Sequence, residues 1–395
     1  MKKVKLGIIG IGNMGSSHMK SILAGKCPEI DVTAVADTDP ARIEAAKGFY
    51  AEAKANNPDL PEVAYFDDAI KMMESGLIDS VVVAVPHYDH PKYVIEAFRH
   101  GLHAISEKPA GVYTLQVREM MAEADKHPEL VFGMMFNQRT NHVFRKMKEI
   151  MDSGELGEIK RTSWIITNWY RPQYYYDSGA WRATWSGEGG GVLLNQCPHN
   201  LDLLQWICGM PSKVTAFCHE GKWHDIEVED DVTAYLEYPN GATGVFVTTT
   251  ADLPGTNRFE VTLDKAKMVC ENDELKVFEL KVPERELCFS TPSGFPKAEG
   301  EWIEIETDGL NPQHVGVLNA FAGKILHGTP LVAEGYEGIN GLTLSNAMHL
   351  SSWLGKAIEL PLDEDLFLEH LNQKRQNSKK KDNVVEATFN TAGTY

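Results

Sequence analysis

One segment near the N-terminus restricts the architecture more than any other. Val4 to Ile9 is a short apolar run, Gly10-Ile11-Gly12-Asn13-Met14-Gly15 follows at once, and Met14, His18, Met19, Ile22 and Leu23 recur at roughly helical spacing. Strand, tight glycine turn and helix in that order form the phosphate-binding corner of a doubly wound parallel sheet. Gly10 permits the turn, Gly12 lets the backbone approach a pyrophosphate, and Gly15 lets the helix sit close to the strand. Amides at the helix start, around Asn13 and Met14, then face the anion.

A second strand, Asp31 to Ala36, ends at Asp37, about twenty positions beyond the glycines, where an acid meets the adenosine ribose hydroxyls. A carboxylate there repels the extra phosphate of NADP, so the expected cofactor is NAD. Taken alone, Asp37 also fits a turn cap beside Asp39. Asp39-Pro40 opens a helix through Tyr50. Val81 to Val85, His103 to Ser106 and Val131 to Phe136 continue the strands, and their alternation with helices implies a parallel sheet covered on both faces.

A chain of 395 residues is too long for one ordinary core and predicts two domains. The first, 1–130, is the α/β Rossmann unit. After about Met135 a helix near Val143 to Met151 gives way to strand-like runs at Arg161 to Thr167, Val214 to Cys218, Val232 to Tyr238, Gly244 to Thr249, Phe259 to Leu263, Lys267 to Cys270 and Trp302 to Glu306. Asn240-Gly241 is a hairpin signal between two of them. These runs predict an α+β domain over 131–365, built on a large, mainly antiparallel, open-faced sheet that serves substrate binding and oligomerisation. Helical patterns at His314 to His327 and Glu337 to Gly355 are expected near the domain junction. From Asn372 the composition turns polar and basic, and 366–395 reads as a flexible tail or an arm to a neighbouring subunit.

The formal net charge of −18 disfavours nucleic acid and anionic membrane surfaces as partners. No stretch approaches the roughly twenty apolar residues of a membrane span. Six scattered cysteines without a C-x-x-C pair fit a reducing cytoplasm. Cys197 and His199 lack a second ligand pair, so no metal is expected and Cys197 reads as a buried thiol.

Glu107-Lys108-Pro109 at a strand end places a lysine where open parallel sheets hold ligands. Lys108 can stabilise an oxygen as negative charge develops, or simply pair with Glu107 at the surface. Together with the glycine turn, this tripeptide resembles the Gfo/Idh/MocA oxidoreductases, named for glucose-fructose oxidoreductase and inositol dehydrogenase. Pro86-His87-Tyr88-Asp89-His90 resembles their segment after the fourth strand. The stretch from Gly189-Gly190-Gly191 through Asn195, Cys197 and His199 to Asp202 resembles their glycine-rich run with its His-x-x-Asp end. The resemblance spans nearly the whole chain except the tail.

It implies that Pro86, His87, His90, Glu107 and Lys108 join the glycine turn and Asp37 at the cofactor, and that Lys108 is catalytic. His199, near neutral pKa, is suited to take a hydroxyl proton, with Asp202 at i+3 either orienting it or capping the helix; a structural histidine is the alternative. The family often has Asp where this chain has Asn195. Asn195 cannot titrate, which shifts the proton burden to His199 and Lys108. Ahead of this motif, Trp164, Asn168, Trp169, Tyr170, Arg171, Tyr174, Tyr175, Tyr176, Arg182 and Trp185 mix aromatic faces with hydrogen-bonding groups. They read either as core or as a saccharide-binding loop in which Asn168, Tyr170, Arg171 and Trp185 join Lys108, Asn195 and His199 at the substrate.

The expected function is therefore NAD-dependent oxidation of a secondary hydroxyl to a ketone on a sugar, a cyclic polyol or a glycoside, the last at C3 as the resemblance to some relatives implies. An NAD-retaining glycosidase working by oxidation and elimination needs the same first step, and a non-catalytic NAD-sensing protein is the reading outside enzymology. The open sheet face and the relatives imply a homo-oligomer, a dimer, tetramer or larger.

Overall fold

The computed structural model describes residues 2–379 together with 381, 384 and 385. Six parallel strands, β1 (Val4–Ile9), β2 (Ile30–Ala36), β3 (Ala64–Phe66), β4 (Ser80–Val83), β5 (His103–Ser106) and β6 (Phe132–Met134), lie in the order β3-β2-β1-β4-β5-β6. The order reverses between β1 and β4, and in doubly wound sheets ligands bind outside the strand ends at that point. Their helices are α1 (Asn13–Leu23), α2 (Pro40–Asn56), α3 (Ala69–Glu74), α4 (His90–Arg99) and α5 (Thr114–Ala124). Asp39 caps α2 through the Ala41 amide at 2.9 Å, with Pro40 at the first helical position.

The second sheet has nine strands: β7 (Ile159–Ile166), β8 (Lys213–Glu220), β9 (Glu229–Glu237), β10 (Thr243–Thr249), β11 (Asn257–Leu263), β12 (Ala266–Glu271), β13 (Glu274–Leu280), β14 (Gly300–Glu304) and β15 (Ile358–Glu359), in the order β14-β13-β12-β11-β7-β10-β9-β8-β15. All pairings are antiparallel except β7 with β10, which run parallel at the centre. Asn240-Gly241 turns β9 into β10, with Gly241 at φ 84°. Alternation writes the burial. On β9, Val232, Ala234 and Leu236 face the core while Thr233 and Tyr235 face outward. β13 escapes the sequence reading because charged residues interrupt its buried pair, Leu275 and Val277.

Helices α6 (His142–Ser153), α7 (Gln173–Asp177), α8 (Pro198–Cys208), α9 (Glu284–Ser290), α10 (Gln313–His327), α11 (Gly338–Leu354) and α12 (Glu364–Gln376) complete the chain. The helices expected at the junction are α10 and α11. Val317, Leu318 and Phe321 of α10 share a core with Val4, Leu6 and Ile8 of β1. Asn346 of α11 accepts from the Thr114 amide at 3.2 Å and donates to the Val112 carbonyl at 3.0 Å, fastening α11 to the first domain.

Where a polar tail was expected from 366, the chain instead forms α12. Asp363 caps it, and Phe367 and Leu371 are buried, with the Phe367 ring stacked on Trp353. The polar turn at Asn372 is the last turn of an amphipathic helix that buries Phe367 and Leu371 on one face. Of the expected tail, 380, 382, 383 and 386–395 lie outside the described residues.

Candidate active site

The glycine turn is shaped by three different constraints. Gly10 sits at φ 89°, and a Cβ there would lie 2.5 Å from the Ala84 carbonyl oxygen. A Cβ on Gly15 would lie 1.9 Å from the Gly10 oxygen, so α1 rests directly on the turn. Gly12 differs, because its Cβ would meet only the tip of Arg42 at 3.9 Å. Nothing inside the fold requires a glycine there, and no side chain caps the start of α1. A bare backbone at an uncapped helix N-terminus fits a pyrophosphate coming close.

Asp37 Oδ2 accepts from the Ile11 amide at 2.7 Å and Oδ1 from the Asp39 amide at 2.9 Å. The acid therefore braces the glycine turn and at the same time stands at the end of β2, where a ribose would lie. The residues fit the adenosine end of a dinucleotide.

At the end of β5, Glu107 is buried and meets His18 Nε2 at 2.6 Å. Burial alone raises such a carboxyl, but the His18 hydrogen bond and charge outweigh it and hold Glu107 at about 2. Lys108 follows, and its Nζ donates to the Asn195 carbonyl at 2.8 Å. Burial pulls the Lys108 ammonium below its ordinary range, against the attraction of Glu107. His90, expected at the cofactor, instead points its two ring nitrogens at the carbonyls of Pro109 (2.7 Å) and Val85 (2.8 Å). It braces the backbone that carries Lys108. His87 is buried too, with Nδ1 3.2 Å from the Glu188 carbonyl and its ring against Trp181, whereas Pro86 is exposed.

The glycine-rich stretch of the second domain is held by an acid that the sequence reading missed. Glu229, buried at the start of β9, accepts from the amides of Gly191 (2.8 Å) and Leu193 (2.9 Å) and pairs with His349 at 2.9 Å. A Cβ on Gly191 would lie 2.0 Å from the Glu229 carbonyl oxygen, which explains that glycine. Asn195 leaves this loop, its side-chain amide donating to the Glu188 carboxylate.

His199 lies in the first turn of α8, buried, and neither ring nitrogen has a hydrogen-bond partner among the described residues. Burial and the nearby Lys108 charge push its pKa well below the ordinary histidine value. The expectation that Asp202 orients His199 is corrected, because Asp202 takes Arg139 in a two-point ion pair. Arg139 reaches it from the turn after β6, which periodicity cannot reveal. Cys197 is buried, with Sγ 3.0 Å from Thr248 Oγ1.

The aromatic segment splits in two. Asn168 and Tyr170 are exposed, and the Arg171 guanidinium lies over the Trp169 and Tyr175 rings at 5.8 and 5.2 Å. Arg182 lies over Tyr175 and Trp181 at 4.4 and 4.6 Å. Trp164, by contrast, is core, stacked on Phe259 at 4.2 Å. Trp185, expected at the substrate, is 3% exposed and packs its ring on His349 and Trp353 of α11. An isolated tryptophan carries no signal of which side it faces. Glu188, the acid directly before the three glycines, is a further residue of this site that the motifs do not single out.

A glycine turn at a sheet switch point, with Lys108 at the end of a neighbouring strand, is the arrangement of a dinucleotide-binding protein. The chain belongs to the Gfo/Idh/MocA family: residues 4–134 match its NAD-binding Rossmann-fold oxidoreductase domain and 144–269 its C-terminal domain. YteT of Bacillus subtilis (strain 168) is 29% identical over 223 residues, 54% of this chain and 50% of its own. Inositol 2-dehydrogenase of Rhizobium meliloti (strain 1021) is 23% identical over 352 residues, 87% of this chain and 95% of its own. Alignments with the first curated relatives span about half to two thirds of their length. The WlbA dehydrogenase of Chromobacterium violaceum, solved with NADH and UDP-GlcNAcA, superposes with a TM-score of 0.74 at 26% identity, covering 92% of this chain and 97% of that one. The cofactor is NAD. Among the described residues no helix is long and apolar enough to cross a membrane.

Proposed function

We propose that the protein oxidises a secondary hydroxyl of a sugar, glycoside or cyclic polyol to a ketone, with His199 and Lys108 handling the proton. The observation that carries this reading is the buried, unpartnered His199 imidazole held neutral beside Lys108. A buried polar group without a partner is costly, and a substrate hydroxyl supplies what it lacks. Bound NAD supplies the hydride acceptor. His199 takes the hydroxyl proton, and Lys108 donates a hydrogen bond to the oxygen as charge grows on it. The exposed Asn168 and Tyr170 with Arg171 offer hydroxyl-bonding groups and an aromatic face at the outer side. Inositol 2-dehydrogenase among the relatives supports a polyol or sugar.

The test is incubation with NAD and a panel of polyols, sugars and glycosides, scored by mass spectrometry for ketone, released aglycone and solvent deuterium. Lys108→Ala and His199→Ala should each abolish ketone formation while NAD still binds. Near-normal single-turnover rates in both variants overturn the assignment, as does tight NAD binding without turnover of any compound. Aglycone release without ketone assigns the site to oxidation and elimination instead.

The open face of the second sheet exposes Ile165, Phe217, Tyr235 and Trp302. We propose that a second copy of the chain covers it, to be checked by light scattering of Phe217→Glu against the parent protein.

A further inference from the structure

Glu188 is the carboxylate of this site that neither the motifs nor the comparisons single out. Its side chain is 2% exposed. One carboxylate oxygen receives the Asn195 amide and the other the Ala183 backbone N–H. Its own carbonyl faces His87 Nδ1 at 3.2 Å. The single residue thus joins the aromatic segment, the glycine-rich loop and the chain after β4.

Hydrogen bonding alone does not require an acid here. A glutamine can accept from Ala183 with its oxygen and, after an amide flip, bond Asn195 equally well. What a glutamine lacks is the charge, and the surroundings are cationic. Arg182 Nη1 lies 3.9 Å from the carboxylate, but that nitrogen already donates to the Tyr175 hydroxyl at 2.7 Å. Lys381 approaches from the C-terminal segment, and Lys108 is within electrostatic reach. The neighbouring acid, Glu107, also attracts Lys108 but spends one oxygen on His18.

We propose that Glu188 is the positioning residue of Lys108 and, beside Glu107, its second counter-charge: through the Asn195 side chain it fixes the carbonyl that receives Lys108 Nζ, so that one residue, Asn195, separates the Glu188 carboxylate from the Lys108 ammonium. It stands in for the charge that Asn195 itself cannot carry.

The electrostatics agree in sign. Burial raises the Glu188 carboxyl above its ordinary value, and Arg182, the Ala183 and Asn195 hydrogen bonds and Lys381 oppose that rise. For Lys108, burial lowers the ammonium, Glu107 and Glu188 raise it, and Arg171 and Arg182 lower it. Removing the charge at Glu188 therefore makes Lys108 easier to deprotonate. Its effect on turnover rests on the role proposed above for Lys108, but its test does not.

The experiment labels the lysines of the full chain, without substrate, by trace acetic anhydride from about pH 6 to pH 10, reading the Lys108 peptide by mass spectrometry against surface lysines. Glu188→Gln should move the Lys108 profile to lower pH, with about threefold faster labelling below the midpoint. Glu188→Asp keeps the charge and should leave the profile near that of the parent. A Glu188→Gln profile superimposed on the parent overturns the proposal. If Glu188→Gln does not fold, Asn195→Ala serves instead: it cuts the link from Glu188 and frees the carbonyl that receives Lys108, so the profile should move to lower pH, and no movement overturns the proposal equally. A shifted profile in a protein that oxidises no polyol or glycoside sinks the dehydrogenase reading and leaves this one standing. An unshifted profile in an active dehydrogenase does the reverse.

Discussion

Arg139 meets Asp202 through two parallel hydrogen bonds, Nε and Nη2 each 2.7 Å from a carboxylate oxygen, with both side chains almost wholly buried. Removing one partner strands the other charge. Glu337, 2.9 Å from Arg139 Nη1, softens that loss. Asp202→Ala should therefore cost about 3 kcal/mol in urea unfolding, the low end for a broken buried pair. The pH limb of turnover assigned to His199 should stay in place. A limb that moves with Asp202 would restore it as the orienting group of His199.

Acid should unfold the protein earlier than its carboxylates alone would dictate. Burial holds His87, His90 and His199 below the ordinary histidine value of 6.5 and brings His314 down to about 4. Below about pH 6.5 the unfolded chain binds protons that the folded one refuses, so stability is full above that pH and falls as pH drops toward 4. Each such proton contributes a slope of about 1.4 kcal/mol per pH unit. Glu107, held at about 2, extends the loss below its ordinary 4.5. Urea midpoints at about pH 8, 6.5 and 5 read the slope, and His314→Gln should reduce it by one proton. Equal midpoints at all three pH values would contradict this account.

The glycines of the nucleotide turn should separate folding from binding. Gly12→Ala meets open space at a φ of −73° that any residue adopts. Its unfolding free energy should stay within about 1 kcal/mol of the parent. Its NAD affinity, by titration calorimetry, should fall about tenfold or more, because the new methyl occupies the pyrophosphate approach. Gly15→Ala drives a methyl into the Gly10 oxygen and should lose about 2 kcal/mol or more of stability outright.

The segment after α12 lies against the aromatic loop. Ser378 donates to Glu227, Lys381 to the Tyr176 carbonyl and the Val385 amide to the Asp177 carbonyl, while the Gly179 amide donates to Val385. A chain ending at Asn377 should fold, but amide exchange over 177–186 should quicken about tenfold, as expected when a few hydrogen bonds cease to restrain a loop. Unchanged protection would mean that the loop is held from below, by Glu188 and Tyr176 alone.

The sequence reading succeeds wherever structure is local. The glycine turn, the Asp39 cap and the Asn240-Gly241 hairpin each depend on neighbours in the chain, and β5 ends where its apolar run stops. It fails where a partner arrives from elsewhere. Arg139 captures Asp202 from 63 positions away, and Glu229 reaches the Gly191 amide from 38. Neither separation leaves a period. Trp185 and Trp164 show the same limit, since aromatic composition gives no sign of which ring faces solvent and which is packed inside. His90 shows a related limit, because a histidine beside a ligand site and one bracing the backbone of Pro109 and Val85 read alike in sequence.

The bond from Lys108 to Asn195 has a consequence for the molecule as a machine. Lys108 is delivered by the nucleotide-binding half, and Asn195 hangs from a loop pinned by the other half through Glu229. The contact is thus a latch across the seam, closed only when both halves are in register. Slippage of an ångström would open it while each half kept its own core intact. The geometry around Lys108 is in this sense a property of the joint, and substitutions in α10 or α11, which fasten the two halves, would open the latch without unfolding either half.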